Sequence, residues 1–535
     1  MTVGQKLTRL RLKFNISQER LAEIIGTSRQ SVSKWEMDQT LPKLDKILEL
    51  SKFFGVTCDE LLSEDVMPLA FTPSEPRKKY FGTDGFRGVA GKELTAEHAF
   101  KIGKFLGWYF GKHTTQSRRP RIVIGKDTRR SSYMLEYAIA AGITVSGADA
   151  YMLHVTTTPS VSYVTKTDGF DVGIMITASH NPFYDNGIKL VNRYGEKFDD
   201  DATEMIEEYL DGNLAALGVC GDDLPEAHGD SIGCIHDYAS GRNRYIGYLI
   251  SLASNSYKNL RIGLDCANGA SWSIARSVFG ALGAEIYVIG DEPDGLNVNK
   301  ECGSTHIEAL AKLVRAKHLD VGFAFDGDGD RCIATDEYGN TVDGDKIMYL
   351  LAKRLKSRGM LKDDTVVATV MSNSGFVSSL ENQGIRCIQT KVGDRFVYEC
   401  MQEGGYSIGG EQSGHVIMKK YATTGDGILT AIMIAEEICD SKASLSSLVS
   451  KVKLYPQHLK NIRVKSKEET VGNAALKNAL EEVEALIGNN GRVLLRQSGT
   501  EPLIRIMVEC ERYELCEKYA EIIENAIRKE GLAIE

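Results

Sequence analysis

The sequence predicts an α/β fold preceded by a separate all-α unit, and two observations lead to this prediction. A unit made of an apolar strand, a loop of small residues and a helix occurs three times, beginning at Arg121, Arg261 and Thr365. The first 62 residues contain no such unit and have instead the spacing of a helix-turn-helix. Three similar α/β domains are therefore expected to follow a helical N-terminal domain.

Composition places the chain among ordinary globular proteins. Its 535 residues are 42% apolar and 26% charged, which is enough sequence for about three or four domains. There is no run of about 18 apolar residues and the N-terminus is polar, so neither a membrane span nor a secretory signal is expected. Eleven cysteines without a CxxC pair favour reduced thiols. These features predict a cytoplasmic protein with no membrane partner.

The segment Ser17 to Glu36, SQERLAEIIGTSRQSVSKWE, carries the helix-turn-helix pattern. Gly26 suits the turn, and Val32 and Trp35 supply an apolar face on the second helix. Thr27, with Gln30 three residues later, is expected to form a capping box at the start of that helix. The side chains expected to face DNA are Gln18, Ser28, Arg29, Gln30, Ser33 and Lys34.

The whole segment 1–62 resembles the Cro and lambda-repressor-like family of DNA-binding domains. Residues 1–57 hold ten Lys and Arg against six Asp and Glu, whereas the complete chain has a net charge of −9. This local basic excess suits double-stranded DNA. Operator binding would need two recognition helices, so a homodimer is expected. The alternative is a helical module used for dimerisation or protein contact.

The segment Gly173 to Lys189, GIMITASHNPFYDNGIK, is a candidate for a nucleophile loop. Its apolar run ends in TASHNP, as a buried strand does when it delivers a loop to a crevice. Ser179 lies in that loop, beside His180. A Ser-His pair by itself is weak evidence of nucleophilic chemistry, because ordinary loop residues form such pairs.

The segment Phe325 to Arg331, FDGDGDR, also follows an apolar run and spaces Asp326, Asp328 and Asp330 two residues apart. Three such carboxylates in an extended loop suit a hard cation such as Mg²⁺. A calcium loop of the EF-hand type is excluded, because the sixth position holds Arg331 where glycine is required. The remaining alternative is a turn with solvated carboxylates.

Two later loops are polar and rich in glycine. GGEQSGH, residues 409–415, contains side chains that suit sugar hydroxyls, namely Glu411, Ser413 and His415. RQSGTEPLIR, residues 496–505, combines hydroxyls, backbone N–H groups and two guanidinium groups, which suits a phosphate. The phosphate candidates are Arg496, Ser498, Gly499, Thr500 and Arg505.

Together and in this order, the four loops resemble those of the α-D-phosphohexomutases. TASHNP is similar to the family's phosphoserine loop, DGDGDR to its metal loop, GEQSG to its sugar loop and SGTEP to its phosphate loop. The resemblance runs from about Lys79 to the C-terminus. Five further stretches resemble the bacterial phosphoglucosamine mutase branch: ASHNPFYDNGIK, LDCANGAS, PDGLNVNKECGSTH, VGDRFV and TTGDGI.

The resemblance implies an activity and roles for particular residues. Ser179, as a phosphoserine, would exchange a phosphoryl group between positions 6 and 1 of glucosamine phosphate, with a sugar 1,6-bisphosphate as primer. Mg²⁺ would bind Ser179 and the three aspartates. Lys189 and His180 are the candidates for general acid and base, and the family favours Lys189. The other residues given a role are Arg331, next to the phosphoserine, and Gly393 and Asp394, facing the sugar.

Two other functions stay open at this point. Phosphomannomutases and phosphoglucomutases would share nearly all of these site residues. The fused N-terminal unit also allows a DNA-binding regulator that senses a sugar phosphate. A hexosamine phosphate remains the expected substrate.

The resemblance also implies a fourth, α+β domain at the C-terminus and a central active-site crevice among the four domains. The expected organisation is residues 1–62 for the helix-turn-helix domain, 63–79 for a linker, and 80–237, 238–362, 363–451 and 452–535 for the four mutase domains.

Overall fold

The computed structural model describes residues 3–13, 18–54, 80–82, 84–113, 118–488, 491–497 and 503–534. The expected linker, 63–79, lies outside these residues. The chain divides into two compact units, residues 1–79 and 80–535, and each is described by itself. Within the described residues, every helix is too short or too polar to cross a membrane.

The N-terminal unit is helical in its described part. Its helices are α1 (Val3–Lys13), α2 (Gln18–Ile24), α3 (Arg29–Glu36) and α4 (Leu44–Phe54). They share a core formed by Leu7, Leu21, Ala22, Ile25, Val32, Trp35, Ile47, Leu50 and Phe54. The expected apolar face of the second helix of the motif, Val32 and Trp35, is buried in this core.

The N-cap of α3 differs from the expected one. Ser28 is the capping residue, and its hydroxyl accepts a hydrogen bond from the Ser31 N–H at 3.2 Å. The N–H of Thr27 donates to the carbonyl of Ala22 at 2.9 Å, so it is not available to the Gln30 side chain as a capping box requires. The predicted Thr27–Gln30 capping box is therefore wrong by one residue.

The second unit begins with a seven-stranded mixed sheet, ordered β1-β2-β6-β5-β3-β4-β7. Its strands are β1 (Phe81–Gly82), β2 (Gly85–Val89), β3 (Arg121–Lys126), β4 (Asp149–Val155), β5 (Val172–Ile176), β6 (Asp185–Asn192) and β7 (Ile235–Asp237). Its helices are α5 (Ala96–His113), α6 (Arg130–Val145), α7 (Thr158–Thr167) and α8 (Asp200–Leu210).

Helices cover both faces of this first sheet. On β3, Ile122 and Ile124 pack into the core beneath α5 and α6, while Val123 packs on the opposite face against Val161 and Val164 of α7. A strand buried on both faces reads as a continuous apolar run. This explains the run at β5, whose five residues are all buried.

The next sheet has five strands in the order β12-β11-β10-β8-β9. Its elements are α9 (Ala239–Ser251), β8 (Arg261–Asp265), α10 (Ser271–Ala281), β9 (Glu285–Ile289), α11 (Glu308–Lys317), β10 (Val321–Phe325), β11 (Cys332–Thr335) and β12 (Thr341–Val342). Strands β10, β8 and β9 are parallel to one another, and β11 returns antiparallel beside β10. The loop between β10 and β11 is therefore a hairpin at the carboxyl end of a central strand.

The third sheet has four strands in the order β14-β13-β15-β16. Its elements are α12 (Gly344–Ser357), β13 (Thr365–Thr369), α13 (Ser374–Glu381), β14 (Arg386–Thr390), α14 (Asp394–Gly404), β15 (Ile408–Gly410), β16 (Val416–Met418), α15 (Gly427–Ser441) and α16 (Leu445–Val449). One hydrophobic core contains Phe323 of the second sheet together with Ile408 of the third. The two sheets are thus joined through buried apolar contacts.

The last sheet is fully antiparallel, with the order β17-β19-β18. Its elements are β17 (Gln457–Arg463), α17 (Lys467–Gly472), α18 (Ala474–Ile487), β18 (Arg492–Gln497), β19 (Leu503–Glu509) and α19 (Tyr513–Lys529). Short 3₁₀ turns occur elsewhere in the unit at Leu214–Leu217, Gly229–Ser231 and Lys362–Asp364. The predicted fold class, three α/β domains followed by an α+β domain after a helical N-terminal unit, is confirmed.

A buried polar seam holds the last sheet against the third. The N–H and hydroxyl of Ser374 both donate to Glu509 on β19, and the carboxylate of Glu509 also pairs with Arg492 on β18. Beside them, the N–H of Asn373 donates to Oδ2 of Asp345 at 2.7 Å. Burial, followed by the charge of Asp343, raises the pKa of Asp345 to about 8. The native state therefore favours a protonated Asp345.

This pKa gives a pH dependence of stability that can be measured. A carboxyl group whose pKa is higher in the folded than in the unfolded state makes unfolding easier as the pH rises toward the folded pKa. Replacing Asp345 by Asn should therefore raise the melting temperature more at pH 8.5 than at pH 5.5. Thermal unfolding of both proteins at the two pH values tests this, with Asp364→Asn at an exposed carboxylate as the control. An equal change at both pH values would contradict it.

Candidate active site

Ser179 lies in the loop after β5, where the first sheet meets the second. Its side chain is 1% exposed, and its φ of +51° is in the left-handed region. Its N–H donates to the hydroxyl of Thr177 at 2.9 Å, and its own hydroxyl donates to Oδ2 of Asp326 at 2.6 Å. The ring nitrogen Nδ1 of His180 lies 3.4 Å from the same hydroxyl. The serine is thus fixed at backbone and side chain beside the aspartate loop.

The aspartate loop is the hairpin between β10 and β11. Asp326, Asp328 and Asp330 are all buried, and one oxygen of each lies within 4.8 Å of the others. Burial and then the charges of Asp330 and Asp328 raise the pKa of Asp326 well above its usual range. The three carboxylates therefore lie close together in a buried place, where their mutual repulsion is costly.

These residues fit a divalent metal ion. Oδ1 of Asp328 and Oδ1 of Asp330 are buried and have no hydrogen-bond partner among the described residues. Buried carboxylate oxygens without donors are costly, and a hard cation would satisfy them. The triad could therefore hold a metal ion, with the hydroxyl of Ser179 beside it.

Lys189 reaches the aspartates from β6, where it pairs with Met175 of β5 across the sheet. Its ammonium group donates to Oδ2 of Asp328 at 2.7 Å and to Oδ2 of Asp330 at 3.2 Å. Burial would lower the pKa of Lys189, but the charges of Asp328 and Asp330 outweigh it and raise this pKa above its usual value. Lys189 is thus a fixed positive charge against the carboxylates.

Basic groups also surround His180. Burial, followed by the guanidinium groups of Arg331 and Arg87, lowers the pKa of His180 to about 4. Arg331 follows the triad in the sequence, and its backbone N–H donates to Oδ1 of Asp326 at 3.1 Å. His180 is therefore a neutral ring beside the Ser179 hydroxyl at physiological pH.

The predicted sugar loop connects β15 to β16 and faces the same region. His415 is buried, with Nδ1 3.7 Å from Asp330 and Nε2 3.7 Å from Asp394. Burial would lower the pKa of His415, but Asp330, Asp394 and Glu411 raise it to about 9. The N–H of Gly425 points at Nε2 at 3.0 Å, which suits a neutral ring instead. The two carboxylates lie beyond hydrogen-bond distance, so the hydrogen bond from Gly425 decides the state of the ring, and Nε2 is an acceptor.

Glu411 links the sugar loop to the loop before α14. Its carboxylate accepts hydrogen bonds from the N–H of Gly393 at 3.1 Å and from the hydroxyl of Ser413 at 3.4 Å. Asp394 is held by Lys197 of the first domain, with Nζ to Oδ1 at 2.6 Å. The structure thus brings the five predicted sugar-facing residues Gly393, Asp394, Glu411, Ser413 and His415 into one neighbourhood.

The predicted phosphate loop is described only at its two ends. Arg496 on β18 and Arg505 on β19 are directly opposite each other in the antiparallel pair. Burial, followed by the like charge of Arg505, lowers the pKa of Arg496. Ser498, Gly499 and Thr500 lie outside the described residues. Two cations facing each other suit an anion such as phosphate.

The contacts of Thr158 and Lys197 at the site were not predicted. Thr158, at the start of α7, donates its hydroxyl to Oδ2 of Asp328 at 2.5 Å and its N–H to the carbonyl of Asp328 at 2.9 Å. The other is the Lys197–Asp394 pair. Nothing in the sequence indicated that Thr158 has a partner 170 positions away.

In the N-terminal unit, five of the six predicted DNA-facing residues lie on α3 or at its N-cap, and Gln18 is the first residue of α2. Ser28, Arg29, Gln30 and Lys34 are exposed, and Ser33 is half-buried. Gln18 is also half-buried, and its side chain donates to Glu36 at 2.8 Å. Four of the six side chains are therefore at the surface of the helix that the motif assigns to DNA.

Family profiles match nearly the whole chain. Three described as phosphoglucomutase/phosphomannomutase alpha/beta/alpha domains I, II and III match residues 78–216, 243–339 and 343–455, and the C-terminal domain of that family matches 459–526. A helix-turn-helix profile matches residues 7–61.

Curated relatives with high identity carry the name phosphoglucosamine mutase. One from Lachnospira eligens is 56% identical over 456 residues, which is 85% of this chain and 100% of the relative. One from Bacillus subtilis is 47% identical and covers 84% of this chain and 99% of the relative. About 85% of this chain thus covers almost the full length of both relatives.

Solved structures with lower identity share the fold. A phosphoglucomutase/phosphomannomutase family protein from Burkholderia thailandensis is 24% identical, with a TM-score of 0.70 over 84% of this chain and 97% of that one. The N-acetylphosphoglucosamine mutase of Aspergillus fumigatus, solved with GlcNAc-6P and magnesium, is 18% identical, with a TM-score of 0.59 over 84% and 96%.

Proposed function

The chain belongs to the phosphoglucomutase/phosphomannomutase family, and we propose that it is a phosphoglucosamine mutase, which interconverts glucosamine 6-phosphate and glucosamine 1-phosphate. The observation that carries the proposal is the hydrogen bond of 2.6 Å from the Ser179 hydroxyl to Asp326, inside a cluster of three buried aspartates. High identity to relatives named for this activity supports the choice of substrate. The product would serve the synthesis of cell-wall amino sugar precursors.

In the proposed reaction, Ser179 carries the phosphoryl group. A sugar hydroxyl forms a new O–P bond while the bond from phosphorus to Oγ of Ser179 breaks, the sugar oxygen loses its proton and Oγ gains one. The resulting sugar bisphosphate reorients within the crevice. Its other phosphoryl group is then transferred to Ser179 by the reverse of this step. A sugar 1,6-bisphosphate is needed as a primer because unmodified Ser179 has no phosphate to give.

The charged residues around Ser179 match the demands of this step. A phosphoserine carries about −1.5 to −2 charge at neutral pH. Ser179, Asp326, Asp328 and Asp330 would hold Mg²⁺, which when bound offsets the negative charge of the transferring group. Arg331 follows the triad directly in the sequence, and its guanidinium group would contact the phosphoserine. Mg²⁺ is the proposed metal because its ligands here are all oxygens.

Two residues are proposed to move the proton of the reacting hydroxyls. Nδ1 of His180 is 3.4 Å from Oγ of Ser179 and belongs to a neutral ring. The ammonium group of Lys189 donates to Asp328 and Asp330, in the same aspartate loop that Ser179 contacts. The family favours Lys189 as the general acid and base, with His180 shaping the loop. Against the effect of burial, Asp328 and Asp330 raise the pKa of Lys189, and Mg²⁺ bound to them would offset their charge and let Lys189 release and regain its proton.

The remaining predicted residues are proposed to hold the substrate in both orientations. Gly393, Asp394, Glu411, Ser413 and His415 would contact sugar hydroxyls. Arg496, Ser498, Gly499, Thr500 and Arg505 would hold the phosphate that is not reacting. The proposed domain organisation remains 1–62, 63–79, 80–237, 238–362, 363–451 and 452–535, with one loop from each mutase domain at the site.

The enzyme should convert glucosamine 6-phosphate in the presence of Mg²⁺ and a sugar bisphosphate, and Ser179→Ala should lower kcat at least about 1,000-fold because the phosphoryl carrier is gone. A coupled assay of glucosamine 1-phosphate formation measures this. The variant Ser413→Ala, which keeps the carrier, should retain much more activity. Faster turnover of mannose or glucose phosphates by the wild type would instead favour a phosphomannomutase or phosphoglucomutase.

We further propose that the N-terminal unit binds double-stranded DNA. Arg29, Gln30 and Lys34 are exposed on α3, the helix that would enter the major groove. A homodimer would present two such helices to the half-sites of an operator. The proposed location is the cytoplasm, where DNA and sugar phosphates are both present in a bacterium. A sensor without catalysis is disfavoured, because every residue proposed to act in catalysis, Ser179, His180, Lys189 and Arg331, is present in the sequence.

Arg29→Ala should weaken binding to a selected DNA sequence about 5- to 150-fold, because a guanidinium contact to a base edge is worth about 1–3 kcal/mol. The sequence would be selected from a random duplex library and binding measured by fluorescence anisotropy. Lys477→Ala, an exposed lysine of the second unit, removes the same charge and should have no effect. Failure of the wild-type chain to enrich any sequence would contradict DNA recognition.

A further inference from the structure

The segment PDGLNVNKECGSTH, residues 293–306, has no role in the function proposed so far. It lies between β9 and α11 of the second domain, away from the aspartate loop in sequence. Its Asn299 is 7% exposed and has a φ of +57°. A buried asparagine in the left-handed region needs hydrogen-bond partners for its amide.

The side-chain amide of Asn299 binds the backbone of the serine loop. Nδ2 donates to the carbonyl of Ser179 at 2.9 Å and to the carbonyl of Asn181 at 3.1 Å. Both acceptors are carbonyl oxygens, so the nitrogen rather than the oxygen of the amide must face them. The second domain thus binds the nucleophile loop of the first domain directly, through these two hydrogen bonds.

A second donor reaches the same two oxygens from the other side. Nη2 of Arg129, from the first domain, donates to the carbonyl of Ser179 at 3.1 Å and to that of Asn181 at 2.6 Å. Arg129 is fully buried and forms an ion pair with Asp127. Both lone pairs of the Ser179 carbonyl are therefore occupied, one by each domain.

The backbone around Asn299 is itself fixed to the second domain. Its N–H donates to the carbonyl of Ala267 at 2.8 Å. Gly327, within the aspartate loop, lies so close that a Cβ there would be 2.5 Å from the Ser179 carbonyl and 3.0 Å from Nδ2 of Asn299. Asn299, the serine loop and the aspartate loop therefore pack at one point.

We infer that Asn299 is a positioning residue, which fixes the position of the Ser179 loop relative to the aspartate loop of the second domain. The inference rests on the proposed phosphoserine role of Ser179. During the cycle the charge at Oγ changes, and the hydrogen bond from Ser179 to Asp326 is lost whenever the hydroxyl is phosphorylated. The contacts of Asn299 are made to backbone oxygens, so they persist in both states and keep Oγ in line with the sugar hydroxyl.

Two variants separate this role from general stability. Asn299→Gly removes the amide and tolerates the positive φ, so it deletes the contacts with little backbone strain. Asn299→Asp keeps the shape but replaces the donor by an oxygen that repels both carbonyls. Asn340→Gly is the matched control, because its amide donates to Asp336 at 3.0 Å in an exposed turn of the same domain.

The measurement is the single-turnover transfer of phosphate from labelled phosphoenzyme to glucosamine 6-phosphate, normalised to the phosphoenzyme present at the start. Asn299→Gly and Asn299→Asp should slow this step and kcat about 10- to 100-fold, with KM changed less than about threefold, since a displaced nucleophile loses alignment rather than substrate affinity. Asn340→Gly should behave as the wild type.

Normalisation to phosphoenzyme removes the contribution of unfolded protein, so a merely structural role would leave this rate unchanged. A transfer rate of Asn299→Gly within about twofold of the wild type would overturn the inference. A loss of the same size in Asn340→Gly would overturn it as well. Absence of any phosphoenzyme or turnover in the wild type would contradict the proposed function instead.

Discussion

The crowding of three buried carboxylates is the constraint on which the site depends. Asp326, Asp328 and Asp330 share one hairpin loop, where burial weakens the screening of their repulsion. Each is compensated by a group from elsewhere in the chain: the Ser179 hydroxyl, Lys189 and Thr158 from the first domain, and His415 from the third. The carboxylates therefore bind residues of separate domains at one site.

The nucleophile loop shows the same dependence on distant parts of the chain. Ser179 adopts a left-handed backbone conformation that a non-glycine residue rarely keeps without help. Help comes from Thr177 on its N–H and from Arg129 and Asn299 on its carbonyl. The serine is thus preorganised before substrate arrives, as phosphoryl transfer by positioning requires.

The sequence predicted the architecture and the loops at the site because both leave local signals. Continuous apolar runs identified β5 and β10. Ser179, three residues after β5, and Asp326, directly after β10, lie at the carboxyl ends of these buried strands. Contacts such as Thr158 with Asp328 and Asn299 with Ser179 could not be predicted, because they join residues more than 100 positions apart. The N-cap of α3 was misplaced by one residue, since Thr27 and Ser28 have equal capping chemistry and only the turn geometry decides between them.

The central claim is that Ser179 carries the phosphoryl group that this assembly of charges is built to handle. The most direct measurement is peptide mapping by mass spectrometry after incubation with a sugar 1,6-bisphosphate, followed by a chase with glucosamine 6-phosphate. The account predicts one phosphoryl group on the peptide containing Ser179, and its loss during the chase. Phosphate on a different residue, or on Ser179 but resistant to the chase, would contradict the account.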